Sequence, residues 1–437
     1  MNIIELNNDV PLITSDAIVF GILMVILGVI FYTGGLKQFS GFYRIVPALV
    51  LCYFIPSIVS SLGIISANWI DVSATVSHLN SLGYEVEFIK SFKELKDFIL
   101  ANNIEPNIYS SFVGSSKLYY VASKVLLPAS LVLLTLSINL KEIFRLGPKA
   151  LIMFFTATIG VVIGGPLAIL FFKFVAPDLL TSVGDSELWR GLSTVAGSWI
   201  GGGANQTAMK ELYDVNDNLF SVMAVVDVLV AEVWMIFLLL GVAKADRIDK
   251  YFKADSSAVT NLKNKMHEFT KKSERVTTFN DIMIILGIAF GVTGLAHLIG
   301  DNFGPWIAEN IPALMEVSFH KSFFWYIVIA TFAGIALSFT KVKNYEGAGA
   351  SKIGTVFIYV LVASIGMRMN LNAIVENLGL FAIGFVWMIV HVGLLFIVAK
   401  IIKAPFFFLA VGSKAYIGGA ASAPVVAGAF HPSLAPV

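Results

Sequence analysis

Residues 197–214 read GSWIGGGANQTAMKELYD, three consecutive glycines followed by Asn205, Gln206 and Thr207, and they stand between long apolar runs. Composition decides the class to which such a stretch belongs. Of 437 residues, 57% are apolar and 14% charged, against roughly 25% charged in an average soluble domain. DAIVFGILMVILGVIFY (16–32), ALIMFFTATIGVVIGGPLAILFF (150–172) and LFSVMAVVDVLVAEVWMIFLLLGV (219–242) are about as long as the ~20 apolar residues that cross a bilayer. The expectation is an all-α polytopic protein of the cell (inner) membrane, partnered by the lipid bilayer. Glu5, Asp9 and Asp16 precede the first run with no Lys or Arg, the wrong flank for a cleaved signal peptide. Cys52 is the single cysteine, so no intrachain disulfide and no cysteine-based metal site is expected. A net charge of +1 gives no reason to expect a nucleic-acid partner.

Spanning helices are predicted near 17–33, 43–65, 118–139, 150–176, 219–243, 281–300, 322–340, 353–367 and 380–399. Residues 190–214 and 405–430, the latter reading FFFLAVGSKAYIGGAASAPVVAGAF from Phe406, suit either one broken crossing helix or a hairpin that enters the membrane and returns. Loop charge favours the hairpin. With 190–214 as a hairpin and the N-terminus outside, the loops at 33–44, 139–149, 244–279, 341–352 and 400–403 all face the cytoplasm and hold 19 of the 30 Lys and Arg residues, as the positive-inside rule requires. A complete crossing by 190–214 would place the Lys-rich stretch 244–279 outside.

The two odd segments resemble each other. WIGGGANQTAM (199–209) aligns with YIGGAASAPVV (416–426), and upstream NLKEIFRLG (139–147) parallels NLNAIVENLG (370–379). Shared order in both halves suggests an internal duplication. Five spans plus a hairpin is an odd number of crossings, so the second copy would be inverted relative to the first, a transporter arrangement. The first repeat would be 1–243, with panel helices at 17–65 and 118–139, an external insertion at 66–117 and a core at 150–243. A basic cytoplasmic linker, 244–279, would lead to a second repeat, 280–437, with panel helices at 281–367 and a core at 380–437. Aligning the tips sets Val437 opposite Phe220, so the second repeat lacks its last helix in this chain, and a further apolar helix beyond Val437 is expected.

Each arm of 190–214 would reach about half of a ~30 Å hydrocarbon core, setting Gly201, Gly202 and Gly203 near the midplane. Irregular backbone there is tolerated only where it is buried in protein or lines a cavity. Glycine lets the chain turn with positive φ and lets a ligand approach, and the following helix start offers free N–H groups to an anion. Asn205 is expected as the N-cap and as an oxygen donor, with Gln206 and Thr207 beside it. Gly418, Gly419 and Ser422 would play the same part in the second copy. The competing reading, that the glycines merely permit close helix packing, leaves Asn205, Gln206 and Thr207 without a role.

Ile-Gly-Gly followed by small and polar residues, repeated in a second hairpin, resembles the YjcL-like family of uncharacterised bacterial integral membrane proteins (domain of unknown function 819). More distantly, Gly-Gly with Asn three residues on is similar to the bile-acid:sodium symporters, and the paired hairpins to the 2-hydroxycarboxylate symporters, within the cation:proton antiporter and anion transporter superfamily. The resemblance implies alternating access of a core against a panel, a homodimer, and a cation or substrate role for Gly201, Gly202 and Asn205. Those symporters often carry an acidic ligand in the second crossing segment, whereas 405–437 holds no Asp or Glu.

A charge is available in MAVVDVLVAEVWMIF (223–237). Asp227 and Glu232 lie mid-span, where a carboxylate is costly and functional by default; five residues apart, they stand about 140° around the helix. Asp227 with Asn205 is the expected Na⁺ or proton site, Na⁺ being the only cofactor in view. Glu232 and Lys414 are further candidates, Lys414 either binding an anion or snorkelling to the cytoplasmic surface; His297 and His391 suit helix packing. YEGAGASK (345–352) lacks the ending of a phosphate loop. The expected function is secondary transport of a small organic anion driven by Na⁺ or H⁺, against a channel or a non-transporting receptor or scaffold. With no His-Glu-x-x-His and no cysteine pair, an enzyme is not expected.

Overall fold

A computed structural model describes residues 3, 6, 8–46, 48–86, 88–136, 147–181, 185–254, 277–315, 318–369 and 377–430. Helices occupy all nine positions where spans are predicted: α1 (Asp16–Gly34), α2 (Ala48–Ser61), α5 (Leu118–Leu136), α6 (Pro148–Val175), α9 (Asp217–Val242), α11 (Phe279–Asn310), α12 (Ser322–Ser338), α13 (Ala350–Gly366) and α14 (Gly379–Ile402). Six of them, α1, α5, α6, α9, α11 and α14, are long and apolar enough to cross a membrane, and up to eight spans result if Lys37–Tyr43 with α2, and α12 with Lys341–Ala348, each make one bent span. α13 is the shorter apolar helix among the nine that joins neither bent pair. Further helices among the described residues include α3 (Val72–Ser81), α4 (Phe92–Ala101), α7 (Asp185–Gly201), α8 (Gly203–Leu212), α10 (Ala245–Phe252), α15 (Phe406–Tyr416) and α16 (Gly419–Phe430).

The chain divides into two compact units. The first comprises Met1–Leu127, Asn216–Ser221 and Thr355–Val375. It contains the segment 66–117, which carries α3, α4 and a small ribbon. Strands β1 (Asn68–Ile70) and β2 (Val113–Ser115) pair antiparallel with Asn68 opposite Ser115; three residues each are too few to show strand alternation. The stretch SFKELKDFILANN (91–103) forms α4, started by a capping box in which Ser91 accepts from the Glu94 N–H and the Glu94 carboxylate accepts from the Ser91 N–H. Hydrogen bonds from the Lys90 and Ser91 main chain hold the exposed Glu94 carboxyl below the usual carboxylate range. Ile70, Leu79, Val86, Leu95, Ile99 and Tyr109 give the insertion its own apolar core, and the Ile3 N–H donates to Tyr109 Oη at 3.0 Å. Elsewhere in this unit Arg368 donates from Nε to Asp217 Oδ2 at 2.8 Å, with Nη2 2.6 Å from the same oxygen. Its guanidinium lies over the Tyr119 ring, 4.3 Å from the centroid.

The second unit comprises Pro128–Val215, Val222–Gly354 and Glu376–Val437. Its backbone of packing is α6 against α14. Gly160 and Gly164 let the two helices close up, because a Cβ at Gly160 would stand 2.9 Å from His391 Nδ1 and one at Gly164 would stand 2.8 Å from Trp387 Nε1. In the space so left, Trp387 donates its indole N–H to the Val161 carbonyl at 2.8 Å, satisfying a polar group that burial would otherwise penalise.

The two segments left open between hairpin and broken helix both fold as hairpins. Arg190 Nη1, near the start of α7, donates to the Tyr213 carbonyl just past the end of α8 at 3.1 Å. The Trp189 and Tyr213 rings meet at 5.2 Å. A helix continued straight through the tip would set those residues roughly 35 Å apart. In the second segment Phe406 and Phe407 at the start of α15 pack on Phe430 at the end of α16, with ring centroids 6.0 and 5.2 Å apart. The linker 244–279 opens with α10; its 255–276 stretch, most of the 139–147 and 370–379 pair, and 431–437 lie outside the described residues.

Candidate functional site

At the first tip the glycines have distinct reasons. Gly202 takes φ 79° and ψ −175°, a conformation open essentially to glycine alone. Its N–H donates to the Ser198 carbonyl at 2.7 Å and its carbonyl accepts from the Gln206 N–H at 3.1 Å, so both arms remain hydrogen-bonded through the break. Gly201 lacks room for a side chain, since a Cβ there would lie 2.6 Å from Asn205 Cγ. Helix α8 begins at Gly203 with Gly202 at the N-cap position, which corrects the assignment of Asn205 as the cap: Asn205 sits inside the first turn, its amide folded back over Gly201. Thr207 donates to the Gly203 carbonyl of its own helix at 3.0 Å.

It is Gln206, the next residue, that reaches the buried carboxylate. Gln206 Nε2 lies 3.2 Å from Asp227 Oδ2, and Ser198 Oγ donates to the same oxygen at 2.6 Å. Ser198 comes from α7, Gln206 from α8 and Asp227 from α9, and all three are buried. Both arms of the hairpin thus close on one carboxylate. The Trp199 side chain, one residue beyond Ser198, is buried beside the same carboxylate, its ring packed at 4.9 Å on Trp387.

The second hairpin meets the same helix further along. Lys414 of α15 is fully buried and donates to the Ala231 carbonyl at 2.9 Å, 3.9 Å from Glu232 Oε1; it does not snorkel to an exposed surface. Beside it Ser413 Oγ accepts from Trp234 Nε1 at 2.9 Å and lies 3.0 Å from His391 Nε2. Asp227, Ala231 and Trp234 recur at i, i+4 and i+7, one face of α9. That face holds hairpin one at Asp227 and hairpin two at Ala231 and Trp234, with Glu232 at its flank. Tyr416 Oη accepts from Thr158 of α6 at 2.7 Å.

The second tip turns at Gly418, φ 109°, ahead of α16 at Gly419. In the sequence alignment Gly418 pairs with Gly201, so the positive-φ glycine falls one residue earlier than in the first hairpin, where it is Gly202. The side chain of Ser422 lies outside the described ones. At the base of this hairpin Asp249 of α10 accepts from the Phe406 N–H at 2.7 Å, filling one of the donor positions a helix start leaves open. Burial, outweighing that hydrogen bond, holds the Asp249 carboxyl above its ordinary range, with Asp246 adding to the effect.

Sequence reasoning missed Ser198, Ser413 and Trp234 as site residues. Ser198 stood inside the quoted motif, but a lone serine carries no signal until its helical position relative to Asp227 is known. Ser413 and Trp234 meet across 179 positions of sequence, which no local pattern records. Among the described residues no group of three His, Cys, Asp or Glu side chains is placed to hold a metal ion.

These features define a polytopic helical membrane protein with two buried polar hairpins. Residues 107–437 match the family described as "Protein of unknown function (DUF819)", and the chain belongs to that family. It is also similar to the "Uncharacterized membrane protein YjcL" of Bacillus subtilis (strain 168), 23% identical over 267 residues, or 60% of this chain and 63% of that protein. The match thus spans less than two thirds of the relative's length. No solved structure matches the chain.

Proposed function

We propose that the protein is a secondary transporter that moves a small organic anion by alternating access, driven by Na⁺ or H⁺ at Asp227. The observation that carries this is a buried carboxylate gripped by both arms of a hairpin whose tip is broken at Gly202. A mid-span carboxylate is expensive to keep and is retained where an ion or proton must be bound. Two hairpins of the same build, each turning at a positive-φ glycine, favour two inverted repeats. The close pairing of α6 with α14 supports it, since these helices hold equivalent places in the two halves. On this reading the hairpins are re-entrant, the first opening outward and the second to the cytoplasm. Panel helices would come from 17–139 and 281–367, the core from 150–243 and 380–437. The protein would be a homodimer in the inner membrane, and the backbone N–H groups at the starts of α8 and α16 would receive the anion.

Proteoliposome uptake of a panel of carboxylates, with and without an inward Na⁺ or proton gradient, tests this. Asp227→Asn, nearly isosteric, is expected to leave expression and folding largely intact and to abolish gradient-driven uptake. Wild-type uptake by Asp227→Asn would overturn the assignment.

A further inference from the structure

Hairpin one holds Asp227 by donors from both of its arms. Ser198 Oγ donates to Oδ2 at 2.6 Å and Gln206 Nε2 to the same oxygen at 3.2 Å. The buried Trp199 indole stands beside the same carboxylate, with an N–H that can only donate. Resting on the transporter reading, we infer that Ser198, Trp199 and Gln206 are the subsite for a carboxylate group of the substrate. Asp227 fills this subsite as a built-in stand-in while substrate is absent, and one proton taken up by Asp227 hands it over.

The ligand class follows from the donors. A hydroxyl and two N–H groups converging on one carboxylate make charge-assisted hydrogen bonds, and they recognise that group whether it belongs to the protein or to a bound molecule. No side chain of the cradle has to turn for the exchange. Ser198 and Trp199 come from α7 and Gln206 from α8, so whichever carboxylate lies between them ties the two arms together. A hard metal ion would need oxygen ligands, whereas the groups placed on Asp227 present hydrogens to it.

The proton follows from charge. Ionisable groups around this part of α9 include Glu232 on α9 itself, Lys414 on α15, His391 on α14 and, one turn beyond Gln206 on α8, Lys210. Each has a partner: Lys414 donates to the Ala231 carbonyl and stands 3.9 Å from Glu232 Oε1, His391 lies against Ser413, and Lys210 has an interaction of its own. A substrate carboxylate entering beside an ionised Asp227 would therefore set two like charges in one buried cluster, which is strongly disfavoured. A proton removes the conflict. An O–H bond forms on the Asp227 carboxyl, the hydrogen bonds of the cradle pass to the substrate carboxylate, and the net charge of the cluster is the same before and after. One proton thus accompanies each carboxylate bound.

The probe is formate, the smallest carboxylate, and the readout is thermal unfolding of the purified full-length protein in detergent around neutral pH, where formate stays ionised. Choline formate is varied against choline chloride at constant ionic strength, so that stabilisation reports binding by linkage. Asp227→Ala removes the carboxyl group that formate resupplies, and is expected to bind formate with an affinity that does not change with pH. Adding Ser198→Ala, Trp199→Phe or Gln206→Ala to Asp227→Ala should weaken that binding roughly tenfold in each case; an undiminished affinity in any of them overturns the subsite. In the wild type, formate must displace Asp227, and binding should weaken about tenfold for each unit rise in pH, the signature of one proton taken up per formate. A wild type that never binds formate, or binds it independently of pH, overturns the proton's role. Where Asp227→Ala does not fold, Asp227→Asn, a fixed likeness of the protonated carboxyl, takes its place as the parent and should also bind formate independently of pH; wild-type pH dependence in that variant overturns the same role. Failure of the formate measurements, alongside uptake that still depends on Asp227 and an ion gradient, defeats this inference and leaves the transporter reading standing. Wild-type uptake by Asp227→Asn defeats the reading itself.

Discussion

Two neighbouring glycines give the most direct measure of how the first hairpin is built. At Gly202 a side chain would meet no atom within 4 Å, yet its φ is 79°. Gly203 is equally open, with no positive φ. Substitution by alanine at the two positions therefore separates backbone strain from crowding. Gly202→Ala must hold a φ, ψ pair that non-glycine residues visit at a cost of order 1–3 kcal/mol, a factor of about 5 to 160 in the folding equilibrium. Gly203→Ala, at the first position of α8, gains up to about 1 kcal/mol from helix propensity and a less disordered unfolded chain. The two variants should consequently differ by about 1–4 kcal/mol with the wild type between them. Reversible unfolding in mixed micelles, read by tryptophan fluorescence, ranks the three proteins. Equal stability of Gly202→Ala and Gly203→Ala would show that the chain does not turn at Gly202, and the geometry that brings Ser198 and Gln206 onto Asp227 would fall with it.

Three other expectations follow from single contacts. In a Cys52→Ser background, cysteines at Trp189 and Asp214 should react with an impermeant thiol reagent from one and the same side of the membrane, and a cysteine at Lys403 from the opposite side; labelling of 189 and 214 from different sides would contradict the first hairpin. Arg368→Ala strips Asp217 of its guanidinium and should cost about 2–3 kcal/mol, below the ~3–5 kcal/mol of a fully buried pair because the Arg368 side chain keeps 19% exposure, with Asp217→Asn in the same chain recovering part of the loss in chemical unfolding. Because the Asp249 carboxyl is held above its ordinary range by burial, its neutral form favours the fold: that contribution is complete below the unfolded carboxylate value of ~3.9 and is lost as pH rises through the folded value. Asp249→Asn, which keeps an acceptor for the Phe406 N–H, should therefore gain on the wild type as pH rises, whereas Asp249→Ala should lose about 1 kcal/mol of capping; a wild type that outlasts Asp249→Asn increasingly with pH would refute the sign.

The helices were legible because membrane burial imposes long apolar runs, and those runs survive whatever packs beside them. Boundaries came out within a few residues at α1, α6 and α9. The segments 190–214 and 405–430 were legible as anomalies for the opposite reason: glycine and polar residues interrupt an apolar context. What the sequence could not supply was rotation about each helix axis. Asn205 and Gln206 are adjacent and chemically alike, so neither composition nor spacing favours one, and a 100° step around α8 decides which reaches Asp227. Lys414 was ambiguous for a related reason. A lysine near a membrane surface normally extends toward water, and only the placement of α15 against α9 shows its ammonium ending on the Ala231 carbonyl instead. The β1–β2 ribbon was hidden by brevity.

Helix α9 is where these strands of physics meet. Its residues Asp227, Ala231 and Trp234 present to the hairpins a carboxylate, a main-chain carbonyl and an indole N–H. The carbonyl is already committed to the helix ladder, so its second lone pair is what receives Lys414. The contacts differ in what a conformational change would cost. Lys414 cannot leave Ala231 and Glu232 without exposing a bare ammonium to an apolar interior, whereas Ser198 and Gln206 carry no charge of their own. Hairpin two is therefore anchored to α9 by charge, and hairpin one is joined to it by hydrogen bonds from neutral groups. If one of the two hairpins shifts against α9 when the ion binds or leaves, it is the first, and the glycine at its tip supplies the backbone freedom for that movement.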